Sequence, residues 1–201
     1  MDDKNSVKET IISKALELFA VQGYEGVSVN EICEAAGITK PTLYYYFGNK
    51  EGVFNAVIRD HYERLNAIIS KNAVYYPNVR HYHKDINPTL ANAANAYFSF
   101  ARENESFYRI VLANLSMPQS SPAFNIVKEY HTVQFDIIEA MFRNMAKYHG
   151  NLRGKHKILG WSFIGTINSY ISLYFGGILR QGLNENSVRE LVHQFMHGIF
   201  A

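Results

Sequence analysis

Residues Ser28 to Glu51 read SVNEICEAAGITKPTLYYYFGNKE, and the spacing within them decides the fold. Ser28 is placed to cap a helix, and Glu31 three residues later completes a capping box. Ile32, Ala35 and Ala36 give that helix a small apolar face. Gly37 stops it where a left-handed conformation costs glycine nothing. Thr39 is placed to cap a second helix, and Pro41 fits its first turn, where a backbone N–H has no intrahelical partner. Leu43 and Phe47, four apart, bury one side of it. Lys40, Thr42, Tyr44, Tyr45 and Tyr46 crowd the other faces, more tyrosine than a core needs and less charge than a solvated face carries. A helix, a glycine turn and a second helix with polar and aromatic tips make a helix-turn-helix suited to reading DNA.

Working outward, Ser6 with Glu9 reads as a capping box opening an earlier helix, with Asn5 as the other possible start. Ile11, Ala15, Leu18 and Phe19 follow its buried face, and Gly23 ends it. On the other side, Asn49 caps a long helix to about Val74, with Glu51 against its positive end and Pro77 beyond it. Residues 75–88 read as a loop, with Asn87 and Pro88 opening the next helix. Further helices are expected over Glu105–Leu115, from Ser121-Pro122 to about His149, and over Ile158–Leu179, ended by Gly182. A third capping box, Ser187 with Glu190, opens the last, which carries Ile199 and Phe200 and ends in the apolar GIFA. The fold class is therefore all-α, about nine helices with no strands. A three-helix helix-turn-helix DNA-binding domain is expected over 1–50, and a second helical domain over 51–201.

Composition agrees with a folded globular protein. The chain has 201 residues, 47% hydrophobic and 14% aromatic, with a net charge of only +2. That charge excludes a polyelectrolyte type of nucleic-acid binder. Between Ala35 and Lys50, however, the only charged side chains are two lysines, Lys40 and Lys50, and phosphate contact is a local matter. One cysteine, Cys33, excludes an internal disulfide and suits a reducing cytoplasm; a redox-sensing role has no nearby cation to support it. The N-terminus, MDDKNSVKE, does not read as a signal peptide. Ile158–Leu179 carries no charge, but Ser162, Thr166, Asn168, Ser169 and Ser172 make it too polar for lipid. It reads as a helix buried between its own domain and a partner subunit.

The run AAGITKPTLYYYFGNKEGV resembles the DNA-binding signature of the TetR (tetracycline repressor-like) family of bacterial transcription regulators. The likeness covers about the first quarter of the chain closely and the rest in length and helical pattern. It implies a ligand-responsive regulator, by default a repressor, that binds a palindromic operator on double-stranded DNA. It also implies a homodimer formed through the last two helices, and release of DNA by a small effector. Carried over by motif position, the DNA contacts fall on Ser28, Asn30, Lys40, Pro41, Thr42, Tyr44, Tyr45, Tyr46 and Lys50. Lys40 suits guanine O6 and N7, and Thr42 suits a thymine methyl or a base-edge acceptor. Pro41 packs on base edges, and Tyr45 and Lys50 reach phosphate. Tyr44 lies near the bases or phosphate, and Tyr46 is partly in the core.

Effector candidates are drawn from the aromatic wealth of the second domain and its polar side chains on buried faces: Tyr97, Phe107, Tyr108, His131, Gln134, Phe135, Trp161, Asn168 and Tyr170. They favour an apolar or aromatic compound. No cofactor and no metal is expected. His193 and His197, four apart, lack a third ligand nearby in sequence and read as surface or interface histidines, as do His81 and His83. No nucleophile–base order, phosphate-binding glycine loop or paired-carboxylate motif supports an enzyme. The competing readings are a helical scaffold with a vestigial helix-turn-helix, and an activator.

Overall fold

The computed structural model describes residues 2–78 and 80–198, and within them the chain is helical with no strand. The elements are α1 (Asp2–Gly26), α2 (Val29–Ala36), α3 (Lys40–Phe47), α4 (Lys50–Asn72), α5 (Tyr82–Glu103), α6 (Glu105–Asn114), α7 (Pro122–Met145), α8 (His156–Phe175) and α9 (Glu185–His197). A short 3-10 turn over Gly150–Leu152 precedes α8. No described helix is long and apolar enough to cross a membrane.

The helices gather into two compact units. The first holds Met1–Glu63 and Ser106–Tyr130, the second Arg64–Glu105 and His131–Ala201. This is a division by packing, distinct from the division by function expected at residue 50. Both α4 and α7 are single unbroken helices that contribute residues to each unit.

The core of the first unit follows the helical period read from the sequence. Ile11, Ala15 and Phe19 of α1 are buried, with Ile32, Leu43, Phe54 and Val57. The Phe19 and Phe54 rings meet edge to face with centroids 5.1 Å apart, and Tyr24 closes on Phe54 at 4.9 Å. Farther along α4, the ring of His61 stacks on Phe107 of α6 at 5.0 Å, and Tyr62 meets Phe107 edge-on at 5.1 Å. In the second unit, Phe142, Phe163 and Phe195 of α7, α8 and α9 pack together, with centroids 5.2 to 5.9 Å apart. Gly160 faces the α7 backbone there, where a Cβ would make an ordinary van der Waals contact with the Glu139 nitrogen at 3.4 Å.

Several boundaries differ from expectation, each for a local reason. The first helix is already running at Asp2, so Ser6 is inside it, its carbonyl accepting from the Thr10 hydroxyl at 2.8 Å, and is no cap. Its course breaks at Gly23 as expected (φ 72, ψ 170). In α2 the buried pair is Ile32 and Cys33, while Ala35 is exposed. The fifth helix starts at Tyr82 and carries Pro88 inside it, because buried Asp85 anchors residues 82–87 in helical form. The eighth helix ends at Phe175, where Gly176 and left-handed Gly177 turn the chain before Gly182. Asn184, not Ser187, caps α9: its side chain accepts from the Asn186 and Ser187 amides at 2.9 and 3.2 Å. Ser187 is instead buried, donating to the Gly182 carbonyl. Ile199, Phe200 and the expected cover over the GIFA end lie outside the described residues.

Candidate nucleic-acid interface

The helix-turn-helix is built by its caps. The Ser28 hydroxyl accepts from the Glu31 amide at 3.3 Å, and the Glu31 carboxylate accepts from the Ser28 amide at 2.8 Å. Hydrogen bonds to the Glu31 carboxyl from Ser28, from its side chain first and then its backbone amide, hold it below its usual range. Gly37 takes the left-handed conformation (φ 65, ψ 33), and the Ile38 amide returns to the Cys33 carbonyl at 2.9 Å. That closure sets the angle at which the chain enters α3. Thr39 then caps α3, and its hydroxyl lies 2.9 Å from that of Thr42.

Leu43 is fully buried and fixes α3 to the unit beneath it. Around that anchor the other faces turn outward. Lys40 and Pro41 are exposed, Tyr44 is 46% exposed and Tyr45 is 73% exposed. Tyr46 is half-buried, its ring edge-on to Tyr45 at 5.1 Å. Asn30 is exposed on α2; Ser28 is exposed too, but its hydroxyl is engaged in the capping box. The first turn of α3 holds no acid to repel phosphate. Lys50 differs from the rest. Its Nζ donates to the Tyr24 carbonyl at 2.9 Å and sits 4.3 Å from the centre of the Tyr24 ring. Cys33 is buried beside this surface, and burial raises its thiol pKa, against a smaller opposing pull from Lys40. A protonated, enclosed thiol is a poor redox sensor.

The effector candidates fall in both units. Phe107 and Tyr108 belong to the first unit, their rings 5.8 Å apart. In the second unit His131 is buried, hydrogen-bonded to Gln134, and 4.8 Å from the Phe135 ring. Desolvation lowers its pKa to about 4, so it is neutral at pH 7. Tyr97 is buried, while Tyr170 is half-buried and stacks on Phe98 at 6.0 Å. Asn168 is half-buried. Trp161 is 50% exposed on α8 with Lys157 over its ring, so it faces outward.

Two grooves in the second unit use other side chains. One of about 440 Å³ lies between α5 and α9, with Asn92, Arg189 and three histidines on its walls. The rings of His193 and His197 are 4.8 Å apart, and that of His83 is 6.3 Å from His197. Among the described residues no three such side chains are set to hold a metal ion. The other groove, about 460 Å³, lies between the end of α4 and α7, bordered by Val74, Tyr75, Met141 and Lys147.

Beside that second groove is a polar cluster that sequence reasoning missed. Tyr75 Oη donates to Asp85 Oδ2 at 2.8 Å, and His149 Nε2 lies 2.9 Å from both atoms. The Asn78 and Ile86 amides also donate to Asp85. Burial pushes the Asp85 carboxyl up, but these hydrogen bonds together outweigh it and hold it below its ordinary value. Burial first, then the hydrogen bond to Asp85 and the Asp85 charge, raises the Tyr75 hydroxyl. No spacing rule joins positions 64 and 74 residues apart.

Residues 11–57 match the family described as bacterial regulatory proteins, tetR family. That stretch holds the whole reader unit, from the buried face of α1 to the first turns of α4. Over these residues the chain carries the DNA-binding region of the TetR family. Among curated TetR-type relatives, it is 31% identical over 127 residues to the HTH-type transcriptional repressor ComR of Escherichia coli. That match covers 63% of this chain and 59% of ComR, so the chain spans less than two thirds of that relative. It is 27% identical over 143 residues to IcaR, the negative transcriptional regulator of the icaADBC biofilm operon in Staphylococcus aureus, covering 71% of this chain and 69% of IcaR. The fold matches the transcriptional regulator FadR from Bacillus subtilis, solved in complex with stearoyl-CoA, with TM-score 0.76. At 18% identity over 95% of this chain and 98% of that one, this likeness concerns the fold alone.

Proposed function

We propose that this chain is a ligand-responsive repressor that binds a near-palindromic operator as a homodimer. The observation that carries the reading is the tip of α3. A fully buried Leu43 anchors a helix whose exposed residues are Lys40, Pro41, Tyr44 and Tyr45. Lys40 would donate to guanine, Pro41 and Thr42 would meet base edges, and Tyr44 and Tyr45 would reach bases or phosphate. Ser28 and Asn30, on the partner helix, would border the backbone.

With so few cations at the surface, little counterion is released, and affinity rests on two readers acting together. The pairing face would be α8, which leaves Ile158 54%, Trp161 50% and Leu173 40% exposed. An apolar stripe of that kind is what a second copy covers. This extends the expected α8–α9 interface, and Trp161 moves from the effector list to it.

The effector would be an amphipathic or aromatic small molecule held among the helices of the second unit. The FadR neighbour carries an acyl-CoA, and the groove beside Met141 and Lys147 offers apolar wall and a cation. Binding there would shift α4, which runs unbroken into the reader unit, and so change the separation of the two recognition helices. They must stand one DNA turn apart, about 34–36 Å, for both to dock.

The test is selection from a pool of random duplex DNA by the purified protein. The account expects an enriched near-palindrome. Absence of enrichment from a folded, dimeric sample would favour the scaffold reading.

A further inference from the structure

Three histidines from two helices converge in the second unit. His193 and His197 stand one turn apart on α9 with their rings 4.8 Å apart, and His83 of α5 brings its ring within 6.3 Å of His197. Among the described residues no such group is set to ligate a metal ion, so the convergence has another use.

The cavities on either side of the histidines point to that use. The groove of about 440 Å³ between α5 and α9 carries Arg189, Asn92 and all three histidines on its walls, against one acid, Glu185. A second cavity, of about 320 Å³, shares His83 and His197 with it. This one is more enclosed, and Ile86, Phe142, Leu159, Phe195 and Met196 make its walls apolar. His83 and His197 therefore stand between an apolar chamber and a polar groove.

Each part suits a different half of one ligand. An apolar ring or short chain gains free energy by leaving water for the chamber. An imidazole in either protonation state has a ring N–H to donate, and Arg189 presents a planar fork that matches a carboxylate. An ammonium head would meet Arg189 as a like charge. Cavities of this size, apolar with a few convergent polar groups, are the usual form of small-molecule sites.

We propose that the two cavities together form a binding site for a small anionic amphiphile, with an apolar ring or short chain in the chamber and a carboxylate held by Arg189 and the histidines. The site shares no wall residue with the groove between α4 and α7. It stands independently of the reading of the protein as a DNA-binding regulator.

The experiment is titration calorimetry of the full chain with phenylbutyrate and with phenylbutanol, which has the same tail and no charge. The wild type should bind phenylbutyrate saturably, and about tenfold more tightly than the alcohol. Arg189→Gln should weaken phenylbutyrate by about that factor and leave phenylbutanol unchanged. Arg189 is exposed, so this variant should fold as the wild type does. Leu159→Trp fills the chamber and should abolish binding of both compounds, whereas Ala140→Trp, in the groove between α4 and α7, should change neither. If Leu159→Trp does not fold, the wild type still decides, because the imidazole NMR signals of His83 and His197 should shift when phenylbutyrate is added. Three results overturn the proposal: no saturable binding by the folded wild type, equal affinity for acid and alcohol, or binding that Ala140→Trp removes while the signals of His83 and His197 stay fixed.

Discussion

Asp85 Oδ2 and His149 Nε2 lie 2.9 Å apart, buried in the second unit, with the Tyr75 hydroxyl bonded to both. Tyr75 follows the end of α4 and His149 follows the end of α7. The cluster therefore pins together, within the second unit, the ends of the two helices that also contribute to the first. Removing the acid should strand buried donors. Asp85→Ala should cost about 3–5 kcal/mol, read by urea unfolding at pH 7.

The same carboxyl sets a pH dependence. Its folded pKa is below its ordinary value of 3.8, so the unfolded chain binds the proton more readily. Its contribution is present above that ordinary value and is lost as pH falls through the lower folded value. The stability gap between wild type and Asp85→Asn should accordingly shrink on acidification below about pH 4. Unfolding curves from pH 7 to 3 measure it, and a constant gap would exclude Asp85 as the source.

His131 acts over a higher window. Its folded pKa, about 4, lies below its ordinary 6.5, so its neutral form is the one that folds. Stability is complete above pH 6.5 and declines between about 6.5 and 4, as the unfolded chain takes up the proton. The loss is at most about 3 kcal/mol. His131→Gln should flatten the stability profile in that window.

Gly52 tests the joint between α3 and α4. A methyl there meets the Phe47 carbonyl at 1.9 Å, and backbone must move. Gly52→Ala should cost about 1–3 kcal/mol and weaken operator binding, as measured by thermal unfolding and fluorescence anisotropy. Gly150→Ala, outside the long helices and where a Cβ meets nothing within 4 Å, is the control and should leave operator binding unchanged.

The exposed face of α8 tests the proposed pairing of two copies. Trp161→Glu should convert the dimer to monomer in sedimentation and weaken operator binding in parallel, since half of a paired reader docks poorly. A dimer that survives this change would move the interface elsewhere.

The reader was legible because its devices are local. Ser28 with Glu31, Gly37, Thr39 and Asn49 each act within three or four residues, and each stands where its spacing put it. Local rules failed where a distant partner decided the outcome. Asp85 is anchored in part by His149, which keeps residues 82–87 in α5 although Asn87-Pro88 reads as a helix start. Ser187 resembles a cap, but Asn184 reaches the free amides first. Nothing in the local sequence announces the bond from Lys50 to the Tyr24 carbonyl, 26 residues away. The scatter of Phe107 and Tyr108 into the first unit was invisible for the same reason, because α6 packs on α4 across a long stretch of chain.

The most direct test of the account is equilibrium binding of wild type and Lys40→Ala/Tyr45→Ala to the selected duplex and to a scrambled one. Both side chains are exposed, so the double variant should fold as the wild type does. The account predicts that wild type prefers the selected duplex by at least about a thousandfold. It predicts that the folded double variant loses that preference. A double variant that still discriminates between the two duplexes would contradict the assignment of the α3 tip as the reader.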